Sequence, residues 1–163
     1  MAKRVFYTTD LCDDHPNDVE VVTPMFRDFG GKTHFAGQIV TLKIFEDNAR
    51  VRECLEMDGR GKVLVVDGGG SLRCALVGGN LGVLGAQNGW AGIVVYGCVR
   101  DSLELAQAQL GIKALQCHPM KSIKKGMGDL QIPVKFGGVW FHPDAWLYAD
   151  EDGIIVSPKP LTD

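Results

Sequence analysis

The sequence predicts a single mixed α/β domain over residues 1–163, and three observations carry that prediction. Short unbroken apolar runs such as Val63-Leu64-Val65-Val66 alternate with stretches where apolar residues recur at helical spacing. Strand, helix, strand, helix, strand in the middle, with strands at both ends, is the pattern of helices packed on a sheet. The 163 residues, 45% hydrophobic and 23% charged, are enough to bury one core and do not suit a disordered chain. The 21 glycines fall inside apolar segments, as in Val66-Asp67-Gly68-Gly69-Gly70-Ser71 and Val77-Gly78-Gly79-Asn80-Leu81-Gly82. Glycine there marks tight turns or close backbone approach, not a linker.

Each element follows in order. Thr8-Thr9-Asp10 offers N-caps to a short helix over 11–14, which Pro16 ends. Gly30-Gly31 turns the chain. Residues 34–45 alternate and are rich in Phe35, Ile39, Val40, Leu42 and Ile44, so they read as a long strand. Over 48–57, Val51, Cys54 and Leu55 share a helical face, and Asp58-Gly59-Arg60-Gly61 stops that helix. Val63-Leu64-Val65-Val66 is a strand buried on both faces. Ser71 is placed to cap a turn or short helix. A helix starts at Asn80 and reaches Asn88 despite its glycines. Gly92-Ile93-Val94-Val95-Tyr96-Gly97 is a second buried strand. Asp101-Ser102-Leu103-Glu104-Leu105 opens a helix with acids at its positive end, and Ile112-Lys113-Ala114-Leu115 is a third strand. From Ile132 onward, glycines and aromatics punctuate short strands and turns.

Composition removes several function classes. Seventeen basic against twenty acidic residues leave a net charge of −3, which opposes non-specific attraction to nucleic acid or an anionic membrane. No apolar run reaches the roughly 18 residues of a membrane span, and the first ten residues lack the apolar stretch of a secretion signal. Cys12, Cys54, Cys74, Cys98 and Cys117 form no CxxC pair, which suits a reduced, cytosolic protein; Cys74 and Cys98 read as small core residues. His15, His34, His118 and His142 have no spacing for a metal cage, and neither Ser71 nor Ser122 sits in a nucleophile elbow.

Three segments remain as candidates for chemistry, two of them just past buried strands, where open α/β sheets bind ligands. Gly68-Gly69-Gly70-Ser71 either cradles an anion on its amides or is a tight structural turn; Arg73 stands where the dinucleotide fingerprint needs glycine. Gly78-Gly79-Asn80-Leu81 either presents amides to a carboxylate or is an Asn-capped helix start. Arg100-Asp101 joins a group suited to carboxylate with one suited to a hard divalent cation, or is a local ion pair with a capping aspartate. Lys121, Lys124 and Lys125 form a basic cluster that reads as a solvated turn.

Taken together, these motifs resemble the family of regulator of ribonuclease E activity A. The resemblance rests on residues 59–71 (Gly-Arg-Gly-Lys-Val-Leu-Val-Val-Asp-Gly-Gly-Gly-Ser) and on Tyr96-Gly97-Cys98-Val99-Arg100-Asp101. Thr9-Asp10-Leu11-Cys12-Asp13, Gly37-Gln38-Ile39-Val40-Thr41 and Leu147-Tyr148-Ala149-Asp150 extend it over nearly the whole chain. It implies a swivelling-type β/β/α domain, a homotrimer with clefts between subunits, and one of two activities. One branch binds ribonuclease E and inhibits RNA processing without cutting RNA. The other consists of lyases, dependent on Mg²⁺ or Mn²⁺, that cleave 4-hydroxy-4-methyl-2-oxoglutarate and decarboxylate oxaloacetate. In the lyases, the positions matching Gly78, Gly79, Asn80, Leu81 and Arg100 hold the small 2-oxo acid, and the position matching Asp101 holds the metal. There is one departure: the lyases carry an acid in the loop where this chain has Gly79 and Asn80, and glycine there with Glu104 resembles the regulator branch. Aldol cleavage needs a base on the 4-hydroxyl, worth roughly 10²–10⁴-fold, whereas decarboxylation does not. For the regulator branch, acids such as Asp13, Asp14, Asp18 and Glu20 suit a basic partner segment. The aromatic tail (Trp140, Phe141, Trp146, Leu147, Tyr148) suits either an interface between subunits or the core.

Overall fold

The structure, a computed structural model, describes residues 5–162; residues 1–4, where the segment read for a secretion signal begins, and Asp163 lie outside them. The first half holds α1 (Thr8–Asp14), β1 (Glu20–Val21), β2 (Arg27–Asp28), β3 (Phe35–Lys43), α2 (Ala49–Leu55), β4 (Lys62–Asp67), β5 (Ala75–Val77) and α3 (Gly79–Gln87). The second holds β6 (Gly92–Val99), α4 (Ser102–Leu105), β7 (Gly111–Cys117), β8 (Asp129–Leu130), β9 (Val134–Phe136), β10 (Val139–Phe141), β11 (Trp146–Asp150) and β12 (Gly153–Ser157).

The main sheet runs β1-β12-β11-β3-β4-β6-β7-β2, with β5 added beside β6 and β8 beside β3. Its centre, β3-β4-β6-β7, is parallel, and its flanks are antiparallel. The alternation of strand side chains explains why 63–66 is apolar without a break. Val63 and Val65 pack with Phe136, Phe141, Leu147 and Ile154 on one face, where the β9–β10 hairpin lies. Leu64 and Val66 pack with Val51, Leu55, Leu81 and Leu105 of the helices on the other. Full burial of each such side chain contributes about 1.5–3 kcal/mol.

This is the mixed α/β architecture that the pattern predicts, with several local differences. Thr8 does not cap α1: its N–H and hydroxyl both donate to the Asp150 carboxylate, at 2.8 and 2.6 Å, tying the helix to β11. Ser71 caps no helix; its hydroxyl donates to Glu46 and accepts from the Arg73 amide. The helix read from Asn80 begins one residue earlier, with Gly78 at its N-cap. Strands β1, β2, β5 and β8 are too short for a period to be visible in sequence. In the tail, Phe141, Leu147 and Tyr148 fill the chain's own core, Trp146 is partly buried, and Trp140 remains 49% exposed. Cys74 and Cys98 are buried, and burial raises both thiols above the ordinary value, as expected of packing residues.

Candidate active site

Strand register brings the sequence candidates together. β5 and β6 run parallel with Val77 opposite Val99, so Gly78 and Arg100 leave the sheet side by side. The Arg100 amide donates to Val77 O at 2.9 Å and fixes that exit. The third carboxyl end is β7, whose Cys117 lies opposite Val99 and whose following His118 donates its amide to Val99 O.

Asp101 is the hinge of the arrangement. It is a non-glycine residue in the left-handed region, φ 59° and ψ 47°, at the N-cap of α4. Aspartate tolerates that conformation better than most residues, at a cost of order 1 kcal/mol. Its carboxylate does not cap its own helix. Oδ2 instead accepts from Gly79 N at 2.9 Å, at the first residue of α3. Gly78, the N-cap of α3, has no side chain to do this, and a Cβ there would lie 2.8 Å from Asp101 Oδ2. Gly82 N is taken by Gly78 O. Between them, the amides of Asn80 and Leu81 are ones that helix geometry leaves without an intrahelical acceptor. With the helix dipole behind them they favour a carboxylate.

Glu104 completes the group. A Cβ on Gly79 would run into the Glu104 carboxylate, so Glu104 occupies the space that a side chain at 79 would fill. The chain therefore sets two carboxylates, from positions 101 and 104, against the start of α3. Gly79 with Glu104 departs from the pattern of the lyases. In the structure the Glu104 side chain, from the neighbouring helix, occupies the space beside Gly79.

Gly78, Gly79, Asn80, Leu81, Arg100 and Asp101 line one small cleft of about 80 Å³. Arg100 is partly buried, and its Nη1 makes a long contact with Pro119 O at 3.5 Å. The cleft is also lined by Asn48, Arg52, Lys121 and Lys124, which sequence reasoning missed or set aside. In sequence Lys121 and Lys124 read as a solvated turn, and no local pattern links them to α2. The link is tertiary. The buried Asp47 carboxylate accepts amides from Ala49, Lys125 and Met127, which pins the 123–128 loop beside α2. Burial alone would raise this carboxyl, but the amide donors outweigh it and hold it below its ordinary value.

The first glycine segment is closed on itself. Gly68 N and Gly70 N both donate to Tyr96 O, Gly69 N donates to Asp67 Oδ1, and Ser71 N donates to Gly68 O. No amide in it is left to cradle an anion, so the structural-turn alternative holds. Among the described residues no group of three or more His, Cys, Asp or Glu is gathered as a metal cage.

The RraA-like family model, described as Aldolase/RraA, matches residues 8–156. The chain belongs to the RraA-like family. A protein of Alkalilimnicola ehrlichii named "Putative 4-hydroxy-4-methyl-2-oxoglutarate aldolase" is 60% identical over 94% of this RraA-like chain and 96% of its own. A Dechloromonas aromatica protein of the same name is 59% identical over 96% and 99%. Among solved structures, the RNA-processing inhibitor RraA from Thermus thermophilis superposes with a TM-score of 0.92 at 48% identity, covering 99% of this chain and 96% of that one. A Geobacillus kaustophilus structure described as an S-adenosylmethionine:2-dimethylmenaquinone methyltransferase gives 0.94 at 44%, covering 96% and 97%. The fold is thus the RraA fold, and its bearers carry names of three different activities. No helix among the described residues is long and apolar enough to cross a membrane.

Proposed function

We propose that this chain is a divalent-cation-dependent carbon–carbon lyase that releases pyruvate from 4-hydroxy-4-methyl-2-oxoglutarate and from oxaloacetate. The observation that carries the reading is that Arg100, Asp101 and the first turn of α3 line one cleft, with the Glu104 carboxylate set against Gly79 at the start of that helix. The names of the 60% and 59% identical relatives support it.

Each group has a task. Arg100 and the amides of Asn80 and Leu81 bind the 2-oxo acid end through charge-assisted hydrogen bonds. Asp101 is the residue to hold the cation: a single carboxylate beside a second one, with no imidazole or thiolate, suits Mg²⁺ or Mn²⁺, which retain several waters. The cation, when bound, supplies Lewis-acid stabilisation of the negative charge that develops on the 2-oxo oxygen. Glu104 takes the proton of the 4-hydroxyl, directly or through water, as the C3–C4 bond breaks. The bonding electrons pass toward C3 and the 2-oxo oxygen, and protonation at C3 gives one pyruvate, while the other half leaves as the second.

The test is pyruvate release from both substrates with Mg²⁺. Glu104→Gln is expected to slow aldol cleavage about 10²-fold and to spare oxaloacetate decarboxylation. Moving the acid back, as Gly79→Asp with Glu104→Ala, is expected to restore cleavage. Equal losses on both substrates would remove Glu104 from the proton step, and no cation-dependent pyruvate from wild type would remove the lyase reading.

The same reading includes a homotrimer whose neighbouring subunit walls the cleft. In one chain the cleft is far smaller than the roughly 300–1,000 Å³ of ordinary ligand sites. Leu103, beside it, is 86% exposed. Light scattering should return three times the 17.7 kDa chain mass; a monomer at micromolar concentration would refute the assembly. A second function, binding a basic segment of ribonuclease E, is favoured by the likeness to the Thermus inhibitor and by the exposed Asp10, Asp13 and Asp14 on α1. Capture of that segment at low salt and release at high salt is the expected result, and no capture at low salt would reject it.

A further inference from the structure

A second cavity, of about 420 Å³, lies at the other end of the sheet from the cleft. The turn over 142–145 docks on β3, where Asp144 N donates to Ile39 O and Ile39 N donates to Ala145 O, level with the first residues of β4. The catalytic cleft opens instead past the last residues of β5 and β6. Unlike that cleft, the cavity has the roughly 300–1,000 Å³ of an ordinary ligand site within one chain. Its walls are of two kinds. Trp140, Val156 and Pro158 give an apolar side, and Trp140 is left 49% exposed. The His142 ring, 6.3 Å from that of Trp140, adds to this side. Asp18, Glu20 and Asp144 give an acidic side. Asp18 is already paired, with Lys159 Nζ at 3.3 Å and His15 Nδ1 at 4.0 Å. Among the described residues, neither Glu20 nor Asp144 has a cation within ion-pair distance. The indole itself already attracts an ammonium. Lys135 Nζ, from the neighbouring strand β9 and outside the cavity's lining, lies 5.9 Å from its ring centroid.

The spread of the acids selects the kind of cation. Among the described residues they are not gathered as a metal cage, so a point-like ion would meet one carboxylate at a time. A cation with its charges at the two ends of a carbon chain meets two carboxylates, and its methylenes cover the indole. We infer that this cavity is a second, non-catalytic site for a linear aliphatic diamine or polyamine, with its ammonium ends on Glu20 and Asp144 and its carbon chain on Trp140 and Val156. The inference uses none of the residues assigned to the lyase, nor the acids of α1. Lysine side chains of a basic protein segment carry the same ammonium, so the probes must separate a free amine from a peptide. The concave shape favours the free amine.

The experiment is calorimetric binding to the intact protein at low salt, using putrescine, n-butylamine and tetralysine, with Mg²⁺ as competitor. Wild type is expected to bind putrescine about tenfold tighter than n-butylamine, which has the same carbon chain and one charge fewer. Mg²⁺ at equal concentration is expected not to displace it. Glu20→Gln with Asp144→Asn is expected to erase the preference for the diamine, and Trp140→Ala to weaken both amines a few-fold. Glu20 and Asp144 are exposed, and asparagine tolerates the positive φ of 69° at position 144, so the double variant should melt as wild type does. Asp13→Asn on α1 is expected to leave putrescine binding unchanged. An unchanged diamine preference in the double variant would overturn the site, as would displacement by Mg²⁺ or an equal loss in Asp13→Asn. Tetralysine binding tighter than putrescine would assign the cavity to a protein segment and reject the free amine.

Discussion

The two glycine-rich turns of this chain teach different lessons from nearly the same sequence. Gly68-Gly69-Gly70 follows β4, and Gly78-Gly79 follows β5; both lie at carboxyl ends of strands parallel to β6. The first turns its amides inward onto Tyr96 O, Asp67 and itself. The second opens a nine-residue helix and gives one amide to Asp101 from another strand end. A turn followed by a three-residue strand satisfies its donors locally. A turn followed by a helix has amides that the helix cannot satisfy, and these become a site when charged side chains are brought to them.

The sharpest way to break this comparison is to remove the charge at the open turn. Asp101→Ala should lower cation-dependent pyruvate release by about 10³-fold in the folded protein, with a stability cost of about 1–2 kcal/mol from the lost bond to Gly79 N and the left-handed backbone. Full activity in that variant would make both turns structural. The closed turn should behave in the opposite sense. A methyl at Gly68 would meet Leu76 Cδ1 at 2.5 Å and Tyr96 O at 2.9 Å. Gly68→Ala is therefore expected to cost about 1–3 kcal/mol in denaturant unfolding while the folded fraction keeps its kcat. A large loss of kcat with unchanged stability would reverse the assignment.

The comparison is sharpened by Asp47, which holds the loop bearing Lys124. Asp47→Asn should cost about 1–2 kcal/mol, expose the amides of Lys125 and Met127 to hydrogen exchange, and raise KM a few-fold with little change in kcat. Unchanged protection of those amides would show that the carboxylate does not pin the loop. The smallest effect belongs to the closed turn's flank. Hydrogen bonds from Arg73 and Ser71 hold Glu46 at a pKa of about 2, below its ordinary 4.5. A depressed carboxyl contributes stability above its unfolded value and loses it as pH falls toward the folded one. Wild type should thus lose stability between pH 4.5 and about 2 more steeply than Glu46→Gln, with neutral-pH activity alike in both. Parallel pH profiles would show that the exposed pair is screened.

Legibility in the sequence followed how local the signal was. The strands containing 63–66 and 92–97 were readable because two-sided burial removes alternation. The α2 face of Val51, Cys54 and Leu55 was readable because burial on one side keeps a helical period. Gly78–Leu81 and Arg100-Asp101 were readable as motifs, each with a structural alternative that the pattern alone did not remove. Arg52 and Asn48 carried no signal, on and before an ordinary amphipathic helix, and Lys124 showed only as part of a basic cluster that reads as a solvated turn. Glu104 looked like a helix-start acid, and its position against Gly79 depends on the separate placement of α3 and α4.

The sequence by itself determined the layers of this protein, through the periods of its apolar residues, and marked the two segments, Gly78–Leu81 and Arg100-Asp101, that meet in the cleft. Tertiary structure alone decided which glycine turn is open, which acid fills the space at Gly79, and which cations share the cleft. The physical reason is reach. Periodicity and capping are set by neighbours a few residues away. The Val77–Val99 register, the Asp101 bond to Gly79 and the Asp47 hold on the 123–128 loop join residues far apart in the chain, and their partners are fixed only once the sheet has formed.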